Sequence, residues 1–403
     1  VAAAPTDTLK RGPVMPSIVE PDPHDPYAHP GPGSAGGFGF DDGPTTGYDF
    51  HHGPATGYDF HDRTVSRHLV HRASVSEVFL TGWQATGPYD FLLGAQWPRL
   101  HGFYRLPGDR YHDPVLLAET IRQTGLLIGH AGFGVPRGHH FMMEDLSYSL
   151  DGTGLPGLAV TAGPASLMLA VGCEDVRMRH GELASLRVCV DVTRDGRPIG
   201  RGSGRLRVVS PASYARLRGP ARRTLPPRPP APAAPELVGR AQPADVVLSP
   251  TLAPDTWLLR ADATHPVLFD HELDHVPGML VLEAARQAAQ RLRHPEPVVP
   301  VELVTSFDHY IELDRPCFVR AAPEPAPGPA AADGRLAVRV ELLQDGRTAA
   351  ECLLLTVPVD GPAEGPRVPV RRDAYDGRPA VPGPAVPGPP LPGLGGARLP
   401  LAS

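Results

Sequence analysis

A five-residue pattern, Glu-x-x-Arg-Gln, occurs twice in this chain, at Glu119–Gln123 and Glu283–Gln287, each time inside an apolar run. The first run, Val115–His130, follows His112-Asp113-Pro114 and carries apolar residues on nearly every face. The second, Met279–Leu292, follows His275-Val276-Pro277-Gly278. A helix that is apolar all round has to be enclosed by other elements. Asp113 suits an N-cap, with Pro114 at the first helical position. Strand-like segments follow each helix: Leu167–Val171, Ser185–Thr193 and Leu206–Ser210 in one half, Val301–Leu313, Leu336–Leu343 and Ala350–Val357 in the other. Thr256–Ala261 reads as a strand ahead of the second helix. Each half has an Asp-Gly turn between strands, Asp195-Gly196 and Asp345-Gly346, which is a hairpin signal. The expected fold class is α+β, with an antiparallel sheet of roughly five to seven strands wrapped around one long central helix, twice over.

The 403 residues accommodate two such domains with ends to spare. Proline and glycine are concentrated at the ends and in the middle, where they mark tails and a linker. Gly43–His51 recurs almost unchanged as Gly53–His61, and so polar a repeat buries too little apolar surface to fold. The expected organisation is a disordered tail over 1–62, a first domain over 63–218, an extended Pro/Arg-rich linker over 219–245, a second domain over 246–360 and a tail over 361–403. A net charge of -6 gives no basic footprint for nucleic acid. No apolar run is long enough for a membrane span, and the start lacks the charged and apolar regions of a signal peptide. Cys173, Cys189, Cys317 and Cys352 show no Cys-x-x-Cys spacing, which fits a reducing cytoplasm.

Within each motif the Glu and Arg are three apart and share a helical face. Such pairs usually sit on solvated faces. Here the flanks (Leu116, Leu117, Ile121 and Leu126; Leu280, Leu282, Ala285 and Ala288) leave little room for a wet face. Buried charge is costly and tends to mark functional sites, so Glu119, Arg122, Glu283 and Arg286 are site candidates. Gln123 and Gln287 either bind substrate or satisfy backbone groups. His112 and Asp113 precede the first helix and can line a site, although Asp113 is more simply a cap. His271 and His275 lie beside Asp270 and Asp274, but Pro277 follows too soon for one helix through both, and no metal site is expected. Trp97 reads as core or pocket wall.

The segment Pro277-Gly278-Met279-Leu280-Val281-Leu282-Glu283-Ala284 resembles the Pro-Gly-x-Leu-x-x-Glu-Ala signature of hotdog-fold hydroxyacyl dehydratases, where the Glu sits at the acyl-thioester site. The dehydratase His falls eight residues before the proline, and that position here is Phe269. A wider resemblance covers about Val65 to about Val357. Val70-His71-Arg72-Ala73, Glu77–Thr81, Gln96-Trp97-Pro98-Arg99, His112-Asp113-Pro114, Phe269-Asp270-His271, Asp274–Met279 and both Glu-x-x-Arg-Gln motifs are similar to the A-factor biosynthesis family. These are the γ-butyrolactone autoregulator synthases of actinomycetes, built from two tandem hotdog domains.

That resemblance implies an acyltransferase. A β-ketoacyl group would move from an acyl-carrier-protein (ACP) or CoA thioester to a hydroxyl of dihydroxyacetone phosphate, with no cofactor. In this reading Glu119 is the base and Arg286 binds the phosphate, with Glu283 and Arg122 as the pseudo-symmetric alternative. The amino end of a central helix serves the oxyanion. Gln123, Gln287, His112 and His275 contact substrate. A tandem repeat permits a monomer with an internal pseudo-dimer as well as a homodimer. The competing readings are a dehydratase or thioesterase on the same fold, or a non-catalytic acyl-binding protein.

Overall fold

The computed structural model describes residues 59–151, 155–219, 228–324 and 335–359. The tails expected over 1–62 and 361–403 lie outside these, apart from 59–62, as do 220–227 of the expected linker. The first repeat runs β1 (Leu80–Ala85), β2 (Asp90–Trp97), α1 (Val115–Leu127), β3 (His140–Leu150), β4 (Ala165–Arg179), β5 (Glu182–Arg194), β6 (Arg197–Val209) and α2 (Pro211–Arg218). The second runs β7 (Leu248–Pro250), β8 (Thr256–Leu259), α3 (Gly278–Arg293), β9 (Val298–Phe307), β10 (Cys317–Glu324), β11 (Leu336–Gln344) and β12 (Arg347–Pro358).

All these strands form one twelve-stranded sheet, β1-β2-β4-β5-β6-β3-β9-β12-β11-β10-β8-β7. Read outward from the β3–β9 seam, the order on one side repeats that on the other, so the repeats are related by a pseudo-two-fold axis at the seam. There β3 and β9 pair antiparallel, from Asp145 opposite Ser306 to Ser149 opposite Glu302. Both Asp-Gly turns place two successive residues at positive φ, 51° and 71° at Asp195-Gly196 and 53° and 74° at Asp345-Gly346. That is the backbone a two-residue hairpin demands.

Each central helix lies in its half of the sheet. Every α1 residue is buried except Arg122, and every α3 residue from Met279 to Gln290 is buried. The helix–sheet approach is close: a Cβ on Gly202 of β6 would meet Ile121 Cδ1 at 2.3 Å. Three expectations shift. The first helix stops at Leu127 and continues as a π-turn over Ile128–Gly132, and the strand expected over Val301–Leu313 is β9, which starts and ends earlier. The second half of the expected linker is not a spacer. Its Pro235–Val238 segment is a 3-10 turn, the Ala233 N–H donates to Leu248 O at 2.8 Å, and Val238 and Arg240 are buried. Proline there fixes a turn rather than extending a linker. No helix among the described residues is long and apolar enough to cross a membrane.

Candidate active site

The two motifs build the same cluster twice. Glu119 Oε1 accepts from Arg72 Nε (3.1 Å), Arg122 Nη2 (2.8 Å) and Gln123 Nε2 (2.7 Å), while Oε2 accepts from Arg122 Nε (2.9 Å). In the second repeat Glu283 Oε1 accepts from Arg240 Nε (2.8 Å), Arg286 Nη2 (2.8 Å) and Gln287 Nε2 (2.5 Å), and Oε2 from Arg286 Nε (2.9 Å). Each glutamine also ties down backbone. Gln123 donates to Glu77 O and accepts from Phe79 N–H, and Gln287 does the same with Asp245 and Val247. The paired arginines cross the seam: Arg72 donates to Val267 O, and Arg240 donates to Phe103 O.

Burial works to raise the pKa of both glutamates, but two guanidiniums on each outweigh it and hold them at about 2. A carboxylate so strongly held ionised is a poor proton acceptor near neutral pH. What each cluster offers instead is a pair of aligned guanidiniums carrying one net positive charge.

The clusters differ in what they face. A cavity of about 1520 Å³ opens between the repeats, and both Arg122 and Arg72 line it. Neither Arg240 nor Arg286 does. The Arg122 side chain is 20% exposed, against 2% for Arg286. The helix amino ends show the reverse asymmetry. On α3 the first intrahelical bonds run from Leu280 and Val281 N–H to Pro277 O, so the N–H groups of Gly278 and Met279 precede them, and both residues line the same cavity. On α1 the matching end is closed by its own sequence. Pro114 has no N–H, and Asp113 Oδ1 accepts from Val115 N–H at 3.0 Å. Asp113 is fully buried there, and burial pushes its carboxyl up. The open cavity therefore joins the arginines of the first repeat to the helix end of the second, and the pseudo-equivalent place is sealed.

Of the residues given a site role from the sequence, Arg122 and His275 line this cavity, and Asp270, His271 and Asp274, weighed there only as a metal cluster, line it too. Glu119 and Gln123 sit directly behind Arg122. Glu283, Arg286 and Gln287 belong to the sealed cluster, so Glu119 and Arg286, paired in the sequence reading, are each engaged by partners from their own repeat. His112 is also away from the cavity: it is 3% exposed, its ring lies 5.7 Å from that of Trp97, and burial takes it down to about 4. His71, His130 and His271 are cavity residues that sequence reasoning left without a role. His71 Nε2 and His130 Nε2 are 2.8 Å apart, and burial together with His130 and Arg122 holds His71 at about 3, so it stays neutral. Arg72 and Arg240 were also passed over as site residues. Their signal was a further repeat, Leu69-Val70-His71-Arg72 against Leu237-Val238-Gly239-Arg240.

The family model "A-factor biosynthesis hotdog domain" matches residues 57–210 and again 222–360. A 2-oxo-3-(phosphooxy)propyl 3-oxoalkanoate synthase from Streptomyces virginiae is 48% identical, over 73% of this chain and 97% of its own length. Synthases of the same name from Streptomyces coelicolor (42%, over 73% of this chain and 90% of theirs) and Streptomyces griseus (40%, over 72% and 94%) are also similar.

Proposed function

The chain belongs to the A-factor biosynthesis hotdog family, and from that premise we infer that it transfers a 3-oxoacyl group from a thioester to dihydroxyacetone phosphate. The hydroxyl oxygen attacks the thioester carbonyl, an ester C–O bond forms, the C–S bond breaks and a thiol leaves. The product is a 2-oxo-3-(phosphooxy)propyl 3-oxoalkanoate, the ester from which a γ-butyrolactone is built. Dehydration and hydrolysis use no phosphorylated acceptor, and neither needs two cavity-lining guanidiniums.

The roles follow from the asymmetry of the cavity. The Gly278 and Met279 N–H groups, with the α3 dipole behind them, bind the thioester carbonyl oxygen and the oxyanion that develops on it. Arg122 and Arg72 clamp the phosphate of the acceptor. Glu119 and Gln123 hold those guanidiniums in place, so their contribution to catalysis is positioning. Glu283, Arg286 and Gln287 do the corresponding structural work in the sealed half, where Asp113 stands in the place of a substrate. The observation that carries this assignment is that Arg122 alone among α1 residues is not buried, and that it opens on the same cavity as the amino end of α3. A cavity of about 1520 Å³ is larger than the ~300–1,000 Å³ of common small-ligand sites, in keeping with two substrates held together.

The two repeats already complete the hotdog pair, so one chain is a sufficient unit, and the place of work is the cytoplasm, where acyl thioesters and triose phosphates are made. The test is direct. Purified protein incubated with a 3-oxoacyl thioester and dihydroxyacetone phosphate yields a phosphate-bearing ester by mass spectrometry. Free 3-oxo acid as the main product would indicate hydrolysis, an enoyl product dehydration, and no turnover a binding role.

A further inference from the structure

With Glu119 bound as it is, the attacking hydroxyl needs another proton acceptor. His275 lies on the cavity wall three residues before Gly278, at the amino end of α3. Its Nδ1 is 2.6 Å from Asp274 Oδ1, an Asp–His pair in which Nδ1–H donates and Nε2 keeps its lone pair for a substrate. Asp274 is itself held from a distant element. Tyr214 of α2 donates to both its oxygens (2.9 and 3.1 Å), and Arg218 of α2 donates Nε to Oδ2 (3.2 Å) and Nη2 to Asp274 O (3.0 Å). Arg218 also forks onto Glu312 at 2.7 and 2.8 Å and lies 4.4 Å from the centre of the Tyr310 ring. Tyr310 packs edge-on against His275 at 4.7 Å, and Tyr214 stacks on His140 at 3.6 Å. The groups facing the imidazole are therefore Asp274 on its own loop, Tyr214 and Arg218 from α2, Tyr310 and Glu312 from the segment after β9, and His140 from β3.

We propose that His275 is the general base and acid of the transfer, oriented by Asp274, with α2 of the first repeat acting as the brace that fixes the pair. This rests on the acyl-transfer reading above. Nε2 takes the hydroxyl proton of dihydroxyacetone phosphate as its oxygen bonds to the thioester carbon. The tetrahedral oxyanion then collapses, the C–S bond breaks, and the imidazolium returns the proton to the leaving sulfur as thiol. Asp274 stays ionised: its hydrogen bond to His275 comes first among the groups that hold its carboxyl well below the usual range, ahead of Tyr214 and Arg218. A structural role alone would not need an Asp-held imidazole on the cavity wall, three residues before the backbone donors at the start of α3.

The experiment is steady-state ester formation by the full chain, across pH, with a 3-oxoacyl thioester and dihydroxyacetone phosphate. His275→Asn lowers kcat by ~10²–10⁴-fold while KM for either substrate changes less than about threefold, and the acid limb of the rate profile disappears. Should that variant not fold, His275→Ala answers the same question through rescue by added imidazole. Asp274→Asn lowers kcat with KM for both substrates within about threefold, because a neutral amide no longer fixes the tautomer with the proton on Nδ1. His275→Asn within about threefold of wild-type kcat, a change confined to KM, or an acid limb that persists in His275→Asn overturns the proposal. If wild-type protein forms no ester, the acyl-transfer reading falls and takes this proposal with it. If wild-type forms ester and His275→Asn forms it as fast, only the base is wrong.

Discussion

Glu119 and Glu283 occupy equivalent positions in equivalent clusters, and the surrounding charges set both their stability role and its pH range. Each folded-state pKa, about 2, lies below the 4.5 of an unperturbed glutamate, so their contribution to stability is complete above about 4.5 and is lost as pH falls towards 2. Acid titration followed by circular dichroism should show cooperative unfolding within that window. Glu283→Gln leaves two buried guanidiniums short of a counter-charge and should cost about 3–5 kcal/mol in chemical denaturation, while a variant that still folds keeps its KM for dihydroxyacetone phosphate. The Glu-x-x-Arg-Gln halves of these clusters are visible in the sequence because one helical turn joins them. Arg72 and Arg240 are much harder to find, since each reaches its glutamate across 47 or 43 residues and the shared Leu-Val-x-Arg is short. The role of the carboxylate is less legible still. Sequence presents Glu119 as a candidate base, and only the second arginine makes it a poor one.

At the scale of the element, the difference between the two helix starts is one of backbone donors. Gly278→Pro would give α3 the missing N–H that Pro114 gives α1, and removing one oxyanion donor should lower kcat by ~10²–10³-fold with little change in KM. The swap is compatible with the fold, because Pro277 already has the extended backbone, ψ 146°, that a following proline requires. Gly278→Ala is the control. Its Cβ would meet Phe307 at an ordinary 3.4 Å, its N–H remains, and kcat should stay within about threefold of wild type, since an intact donor forfeits none of the ~2.7–4 kcal/mol that losing one costs. Both central helices and both Asp-Gly hairpins can be read from sequence, since helical periodicity and positive-φ turn chemistry are local. The strands β1, β2, β3, β7 and β10 and the helix α2 cannot. β3, for example, alternates in burial only from Leu146 onwards, because its first residues flank the cavity rather than a packed core.

The whole molecule is a duplicated hotdog pair in which the duplication has become unequal. Its symmetry, two helices with matching sheet order, follows from features the sequence repeats. Its asymmetry comes from single residues, Pro114 against Gly278 and Asp113 against Pro277, whose weight is evident only once the two helix ends are seen on the sealed and open sides. One chain should therefore hold one acceptor. Isothermal titration with an unreactive analogue of dihydroxyacetone phosphate should give a stoichiometry near one per chain, and two equal sites per chain would count against a sealed second half. The most direct test of the central claim, that the first repeat's arginines bind the phosphate at the second repeat's helix end, compares Arg122→Ala with Arg286→Ala in the ester-forming assay. Arg122→Ala should raise KM for dihydroxyacetone phosphate by about 100-fold, the loss of some 3 kcal/mol expected for a charge-assisted contact. Arg286→Ala should lower the melting temperature and leave that KM within about threefold. The reverse pattern, with KM rising for Arg286→Ala and unmoved for Arg122→Ala, would contradict the account.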